Sequence, residues 1–206
     1  SAMAFLLTST DDTRKIYPFD FDLYVVYQLE GRSLTVHWIV DNKTDGDIYF
    51  QIGAHPAFYY PDYDPETDER GYFSFDRSEG LECIRIMEKG CVDAVTKYPL
   101  EIPQDGLLPL RKDTFDVIDT IMLQDSQIGR VTLHRNDGTP WLSLKFTAPV
   151  VGLWSPPTKN APFICIEPWY GRCDRAGYTG DYRQKDWVNR LEPGKEFEGI
   201  YTIEIA

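Results

Sequence analysis

The chain has 206 residues, a formal net charge of −12, and 42% hydrophobic and 14% aromatic residues. A globular chain of this length buries roughly 70% of its unfolded surface, so a sizeable core can form. The acidic balance argues against non-specific binding to nucleic acid or anionic membranes, which needs clustered Lys and Arg. No apolar run approaches the ~20 residues of a membrane span, and no signal peptide is visible. We therefore expect a cytoplasmic protein without a nucleic-acid or membrane partner.

The first half of the chain alternates apolar and polar residues with a period of two. Residues 21–29 and 34–40 follow this pattern, and Glu30-Gly31-Arg32-Ser33 between them has the composition of a turn, which predicts a hairpin. A further strand is predicted over 48–52. The strand-like residues 4–8 predict an open sheet edge near the start of the chain.

Shorter apolar segments follow, separated by Gly- and Pro-rich turns. Asn136-Asp137-Gly138-Thr139 is a strong hairpin signal. The predicted strands cover residues 72–75, 81–87, 120–123, 131–135, 141–146, 151–154, 163–167 and 197–205. No long amphipathic helix and no composition shift is found. The pattern predicts an all-β, mostly antiparallel sandwich or barrel, formed as a single domain over residues 1–206.

The four cysteines, Cys83, Cys91, Cys165 and Cys173, form no C-x-x-C pair. Their spacing therefore supports neither a zinc knuckle nor a thioredoxin-type motif. Free thiols in a reducing compartment are the favoured interpretation, while Cys83–Cys91 and Cys165–Cys173 pairing between strands stays open.

Three histidines are available for chemistry. His37 alternates with the apolar face of its strand and His134 precedes a tight turn, so both are predicted to be surface residues. His55 lies where a strand runs into a loop, and Pro56 favours extended geometry there and interrupts the ladder. Its small neighbours leave room for a ligand, and structural and functional roles are equally supported.

Glu167 ends the apolar run 163–166 and precedes Pro168. A carboxylate there is costly to bury unless it is paired or functional. Burial would raise its pKa, as suits a general base, whereas the alternative is a salt bridge to an arginine such as Arg172. Trp154 could stack on a sugar ring or serve the core, and Asp119 could bind a hydroxyl group or, as its local sequence favours, cap a turn.

Five motifs in this order carry a family resemblance. They are Tyr17–Phe21, Gly53–Phe58 (GAHPAF), Gly152–Pro156 (GLWSP), Ile166–Gly171 (IEPWYG) and Leu191–Phe197 (LEPGKEF). Together they resemble the aldose 1-epimerase (galactose mutarotase-like) family, particularly its bacterial LacX-like branch, over nearly the whole chain. The resemblance implies an isomerase of carbohydrate metabolism on a large β-supersandwich.

The resemblance also implies roles for single residues. The histidine of the family's H-P motif is a general acid and a late glutamate is a general base, and these map onto His55 and Glu167. The Asp119 segment loosely resembles the stretch that supplies a substrate-binding aspartate, and Trp154 resembles an aromatic residue of the sugar site. Proton transfer suffices for this chemistry, so no metal or other cofactor is expected.

The implied reaction interconverts the α and β anomers of a hexose. Ionised Glu167 would take the proton of the anomeric hydroxyl, and protonated His55 would give one to the ring oxygen. A histidine pKa near ~6.5 and a lower carboxylate pKa would supply both forms around neutrality.

Two alternative functions stay open. A hexose-6-phosphate 1-epimerase would need an Arg/Lys phosphate clamp, and a non-catalytic carbohydrate-binding module would need no acid–base pair.

Family members also carry earlier strands with an arginine and an H-G-F-like histidine, to which nothing here corresponds. The resemblance therefore implies the C-terminal part of a longer domain that lacks its N-terminal strands, and self-association through the open sheet edge is expected.

Overall fold

The computed structural model describes residues 1–87 and 90–206. Almost all of its regular structure is β-strand, joined by one short helix, α1 (Asp11–Arg14), and a 3-10 turn at Tyr182–Gln184. The strands are β1 (Ala2–Thr8), β2 (Phe21–Glu30), β3 (Ser33–Asn42), β4 (Ile48–Phe50), β5 (Ile52–Gly53), β6 (Ala57–Tyr59), β7 (Glu69–Phe75), β8 (Glu82–Ile86), β9 (Val92–Pro99), β10 (Leu108–Arg111), β11 (Thr120–Leu123), β12 (Arg130–His134), β13 (Pro140–Phe146), β14 (Val150–Trp154), β15 (Phe163–Tyr170), β16 (Asn189–Leu191) and β17 (Glu196–Ile205).

The strands form two large sheets and a small one. The eight-stranded sheet has the order β1-β2-β3-β17-β13-β12-β7-β10. The seven-stranded sheet has the order β5-β15-β14-β11-β8-β9, with β6 also paired to β15, and β16 pairs with β4. All these strand pairings are antiparallel. The predicted all-β, mostly antiparallel sandwich is thus confirmed.

The main core combines side chains of both large sheets. Phe73 and Leu144 come from the eight-stranded sheet, and Leu153 and Ile166 come from the seven-stranded sheet; all four are fully buried. Because neighbouring residues of a strand point to opposite faces, the residues on either side of Leu153 and Ile166 project from the other face of their sheet. Glu167 stands on that outer face.

Both predicted hairpins are present, as β2–β3 and β12–β13. Strands β6, β9, β10 and β16 were not predicted. The predicted strand over 48–52 is divided at Gln51 into β4 and β5. All four cysteines are free thiols.

The prediction for His134 as a surface residue is wrong. The residue is buried, with Nε2 2.7 Å from the Ser74 hydroxyl and Nδ1 2.9 Å from the Gly138 carbonyl. The reason is that β12 lies inside the eight-stranded sheet, between β7 and β13, so the turn that follows it does not bring its end to the surface. His37 is half-buried on β3.

The start of the chain forms an exposed sheet edge. Among the described residues, strand β1 pairs with β2 alone, and all its residues are exposed, including Phe5 and Leu6 at 55% each. Within the described ranges, no helix is long and apolar enough to cross a membrane.

Candidate active site

Strands β5 and β6 lie against the same strand, β15, and keep one register along it. Gly53 lies opposite Trp169, and Ala57 lies opposite Cys165. The three residues between β5 and β6 therefore continue the path of a single strand along β15.

Two prolines interrupt the ladder of this strand pair. The Ala54 amide donates to the Pro168 carbonyl at 3.1 Å, and the Ile166 amide donates to the Pro56 carbonyl at 3.3 Å. Each pair would carry a second, reciprocal bond, but proline has no N–H to donate. The predicted interruption at Pro56 is therefore present, and Pro168 adds a second one on the partner strand.

His55 and Glu167 face each other between these two interrupted pairs. The flanking pairs are hydrogen-bonded ones, so His55 and Glu167 occupy a non-hydrogen-bonded position, where side chains of neighbouring strands come closest. Nε2 of His55 lies 3.3 Å from Oε1 of Glu167. The imidazole side chain is 61% exposed and the carboxylate side chain only 3% exposed. One member of the pair can exchange protons with solvent, while the other is shielded.

Trp169 forms one wall beside Glu167. Because Pro168 lacks an N–H, the Ala54 carbonyl loses its ladder donor, and the indole Nε1 of Trp169 donates to it instead at 3.2 Å. Glycines make room for the ring, since a Cβ atom at Gly53 or Gly152 would lie 2.6 Å from it. Gly152 is also the residue opposite Glu167 on β14.

Trp154 forms the other wall. Trp154 is on β14, opposite Cys165 of β15, and its ring contacts the His55 ring edge-to-face, with centroids 5.6 Å apart. Since β14 and the β5–β6 segment flank β15 on opposite sides, the two rings meet above β15. Cys165, below this contact, is 1% exposed.

Burial controls the protonation of the site. It raises the pKa of Glu167 from 4.5 to about 8. Burial, and secondarily the nearby Glu167, raises the pKa of Cys165 to about 12, so its thiol is protonated at neutral pH. The predicted order of pKa values, with the carboxylate below the usual histidine value, is therefore wrong, because the apolar walls exclude water from Glu167.

The salt bridge considered for Glu167 is not formed. Arg172 is buried and pairs instead with Asp186, at 2.5 Å between Nη2 and Oδ2. Glu167 therefore has the imidazole of His55 as its ionisable partner.

Asp119 lies at the edge of this arrangement. It precedes Thr120, which is opposite Trp154, and so reaches the same end of the sheet two strands away from β15. Its backbone is left-handed, with φ at 60°, and its carboxylate accepts a hydrogen bond from the Thr120 hydroxyl at 2.8 Å. This local contact matches the turn-capping interpretation, and substrate binding by Asp119 stays a prediction.

A cavity of about 470 Å³ opens beside His55. It is lined by Gln51, Ile52, Gly53, Ala54, His55, Ile86, Gly90, Met122, Trp169, Gly171, Arg172 and Cys173. An aromatic and aliphatic surface with a few polar groups suits a sugar, which has apolar ring faces and polar hydroxyls. Of the four predicted site residues, His55 lines this cavity, whereas Glu167, Trp154 and Asp119 are not among the described residues that line it.

The sequence thus named the two facing residues and Trp154 but not the rest of their surroundings. Gly152 and Cys165 were not predicted to belong to the site. Gly152 carries a signal that could have indicated a close approach, because a glycine inside an apolar strand leaves space for another group. No comparable signal distinguishes Cys165 from an ordinary core cysteine.

The chain is similar to known proteins along nearly its whole length. The profile of the aldose 1-epimerase family matches residues 1–203. The plasmid-encoded protein LacX of Lactococcus lactis subsp. lactis is 32% identical over 192 residues, covering 92% of this chain and 63% of that protein. The chain therefore spans less than two thirds of the length of this curated relative.

Two solved structures are similar over the entire chain. The galactose mutarotase related enzyme of Lactobacillus acidophilus is 32% identical with a TM-score of 0.84, and 68% of that chain is covered. A galactose mutarotase-like protein of Lactobacillus casei is 28% identical with a TM-score of 0.86, and 70% of that chain is covered. Because the family profile matches nearly the whole chain and the β-sandwich matches these structures, the chain belongs to the aldose 1-epimerase family.

Proposed function

We propose that the protein is a mutarotase that interconverts the α and β anomers of a free aldose, with Glu167 as general base and His55 as general acid. The observation that carries the proposal is the 3.3 Å contact between a buried carboxylate and an exposed imidazole on neighbouring strands. We further propose that the chain is the C-terminal part of a longer domain, because its curated relative is longer.

The reaction needs one proton at each end of the ring-opening step. Glu167 removes the proton of the anomeric hydroxyl while His55 protonates the ring oxygen, and the C1–O5 bond breaks to give the open aldehyde. After rotation about C1–C2, Glu167 returns its proton to the carbonyl oxygen and His55 accepts that of the attacking hydroxyl. Both residues are restored, so no other reactant is consumed.

The raised pKa of Glu167, about 8, makes its carboxylate a stronger base than an exposed glutamate. In the form that the reaction needs, the proton of Glu167 has moved to Nε2 of His55, across 3.3 Å. A bound sugar stabilises that form because its anomeric hydroxyl donates to the carboxylate and its ring oxygen accepts from the imidazolium. Proton transfer within the pair is thereby coupled to substrate binding.

The charge balance favours a neutral sugar over a phosphorylated one. Arg172 lines the cavity, but its charge is offset by Asp186, whereas a phosphate clamp needs uncompensated cations. A pure binding module would not need a buried carboxylate that faces an imidazole, and burying one without compensation is costly.

The test is mutarotation of freshly dissolved aldoses and hexose 6-phosphates, followed by polarimetry and corrected for the spontaneous rate. Glu167→Gln and His55→Asn should each lower kcat by about 10²–10⁴-fold with a much smaller change in KM, because the hydrogen bonds to the sugar partly survive. Matched controls are Glu101→Gln, an exposed glutamate, and His37→Asn, a half-buried histidine on the other large sheet. Wild-type kcat in Glu167→Gln would remove the base assignment, and activity on phosphorylated sugars alone would replace the proposed substrate.

A further inference from the structure

Three potential metal ligands meet on the outer face of the seven-stranded sheet. The ligand atoms of His55, Cys165 and Glu167 all lie within 4.8 Å of one another. Cys165 precedes Glu167 by two residues on β15, so both side chains project from the same face, and His55 is opposite Glu167. This register holds a nitrogen, a sulfur and an oxygen together on rigid strands.

The cluster matches the ligand set of zinc. Imidazole, thiolate and carboxylate bind Zn²⁺ at about 2.0–2.3 Å, and tetrahedral ligands at such distances lie roughly 3.3–3.6 Å apart. The 3.3 Å between Nε2 of His55 and Oε1 of Glu167 already falls in this range. Side-chain rotation at Cys165 would need to bring its sulfur closer to the other two ligand atoms by at most about 1.3 Å. Three protein ligands leave a fourth position for water, as in open zinc sites.

We propose that His55, Cys165 and Glu167 form a binding site for Zn²⁺ or a similar thiophilic divalent cation, and that the bound ion inhibits the enzyme. The exposed imidazole gives the ion access from solvent, and the carboxylate and thiol lie beneath it. Binding releases the thiol proton to solvent, since the thiolate is the ligand. The bound ion occupies the nitrogen and oxygen lone pairs that proton transfer would use.

Metal binding does not depend on the proposed function; only the inhibition does. The direct test is titration of the protein with Co²⁺ alone, which gives a thiolate-to-cobalt charge-transfer absorption when sulfur coordinates. We expect this absorption to saturate at one equivalent and Zn²⁺ to displace it. Calorimetric titration with Zn²⁺ then gives the dissociation constant of wild type and variants.

Removal of each ligand gives a distinct result. Cys165→Ser should abolish the charge-transfer absorption and weaken Zn²⁺ binding by at least about 10-fold. Cys173→Ser is the matched control, because Cys173 lines the neighbouring cavity, and it should change neither. If Cys165→Ser does not fold, the test uses His55→Ala instead. The His55 side chain is exposed, so we expect this variant to fold, and the loss of one ligand should weaken Zn²⁺ binding at least about 10-fold.

Inhibition is measured as the ratio of rates with and without Zn²⁺ for each protein separately. As the Zn²⁺ concentration rises, this ratio should fall steeply for wild type and for Cys173→Ser, and it should stay near one for Cys165→Ser. The metal site is overturned if wild type gives no charge-transfer absorption, if the absorption survives in Cys165→Ser, or if His55→Ala binds Zn²⁺ like wild type. Metal binding without inhibition would overturn the inhibitory role and leave the site standing.

Discussion

The burial of Glu167 should make the stability of the protein fall as the pH rises. The unfolded chain loses the proton of this carboxyl near 4.5, while the folded protein keeps it to a pKa of about 8. Between these values the folded state binds more protons than the unfolded state, so the free energy of unfolding decreases with pH. Above about pH 8 the loss is complete. Replacing the carboxyl by an amide in Glu167→Gln removes the titrating group and therefore this loss.

The magnitude follows from the same pKa change. At about 1.4 kcal/mol per pKa unit, the upper limit is on the order of 5 kcal/mol. The imidazole Nε2 of His55, 3.3 Å from Oε1 of Glu167, is placed to donate a hydrogen bond to the carboxylate and so offsets part of this cost. We therefore expect wild type to lose about 2–3 kcal/mol relative to Glu167→Gln between about pH 5 and about pH 8.5.

The assay is urea unfolding of wild type and Glu167→Gln followed by circular dichroism across this pH range. The slope of the stability difference with pH matters, because a buried amide adds an offset that does not depend on pH. The free energy of unfolding of Glu101→Gln, a change at an exposed residue, should vary with pH in parallel with wild type. That of His55→Asn should fall more steeply with pH, because this variant lacks the imidazole that offsets the cost of burying the carboxylate. Parallel curves for wild type and Glu167→Gln would mean that Glu167 is ionised in the folded protein throughout, which would refute the reasoning.

Two further predictions concern the walls of the site and the sheet edge. Gly152→Ala should lower the free energy of unfolding by about 1–3 kcal/mol and change tryptophan fluorescence, because its Cβ would lie 2.6 Å from the Trp169 ring. Gly46→Ala is the control: its Cβ would have nothing within 4 Å, so its free energy of chemical unfolding should stay within about 0.5 kcal/mol of wild type. A Gly152→Ala protein with wild-type stability and fluorescence would show that the ring is not confined there. The exposed edge strand β1 should pair with a second copy of the chain, so sedimentation equilibrium should show self-association. Phe5→Lys should abolish this association, whereas Ile16→Lys, at a residue that is 90% exposed and lies outside the strands, should leave it unchanged. A monomer at every concentration tested would contradict this.

Local patterns predicted the parts of the fold in which one strand face is buried and the other is not. The β2–β3 hairpin is such a case, since burial alternates along β3 from Val36 to Asn42. Strand β9 is different: it forms the edge of its sheet and is exposed on both faces from Thr96 onward apart from Tyr98. Without a buried face there is no alternation to detect, so the strand was not predicted.

The environment of each candidate residue depended on contacts between distant segments. His134 is buried because β7 pairs with β12, and Glu167 is shielded because the rings of Trp154 and Trp169 lie on either side. Such pairings fix burial, and burial fixes the pKa. Glu167 could therefore be named from the sequence as a candidate base, while its pKa of about 8 could not be predicted.

The two X-Pro motifs explain why the candidate catalytic residues meet where they do. In both motifs the candidate catalytic residue comes directly before the proline, His55 before Pro56 and Glu167 before Pro168. In an antiparallel pair at this register, each proline occupies a hydrogen-bonded position. The residue before each proline therefore lies in the non-hydrogen-bonded pair between the two prolines, where side chains of the two strands are closest. The prolines remove one ladder bond on each side of the gap, and Trp169 replaces one of the lost donors. Hydrogen bonding is thus partly restored beside the facing His55 and Glu167 by a side chain that also shields Glu167 from water.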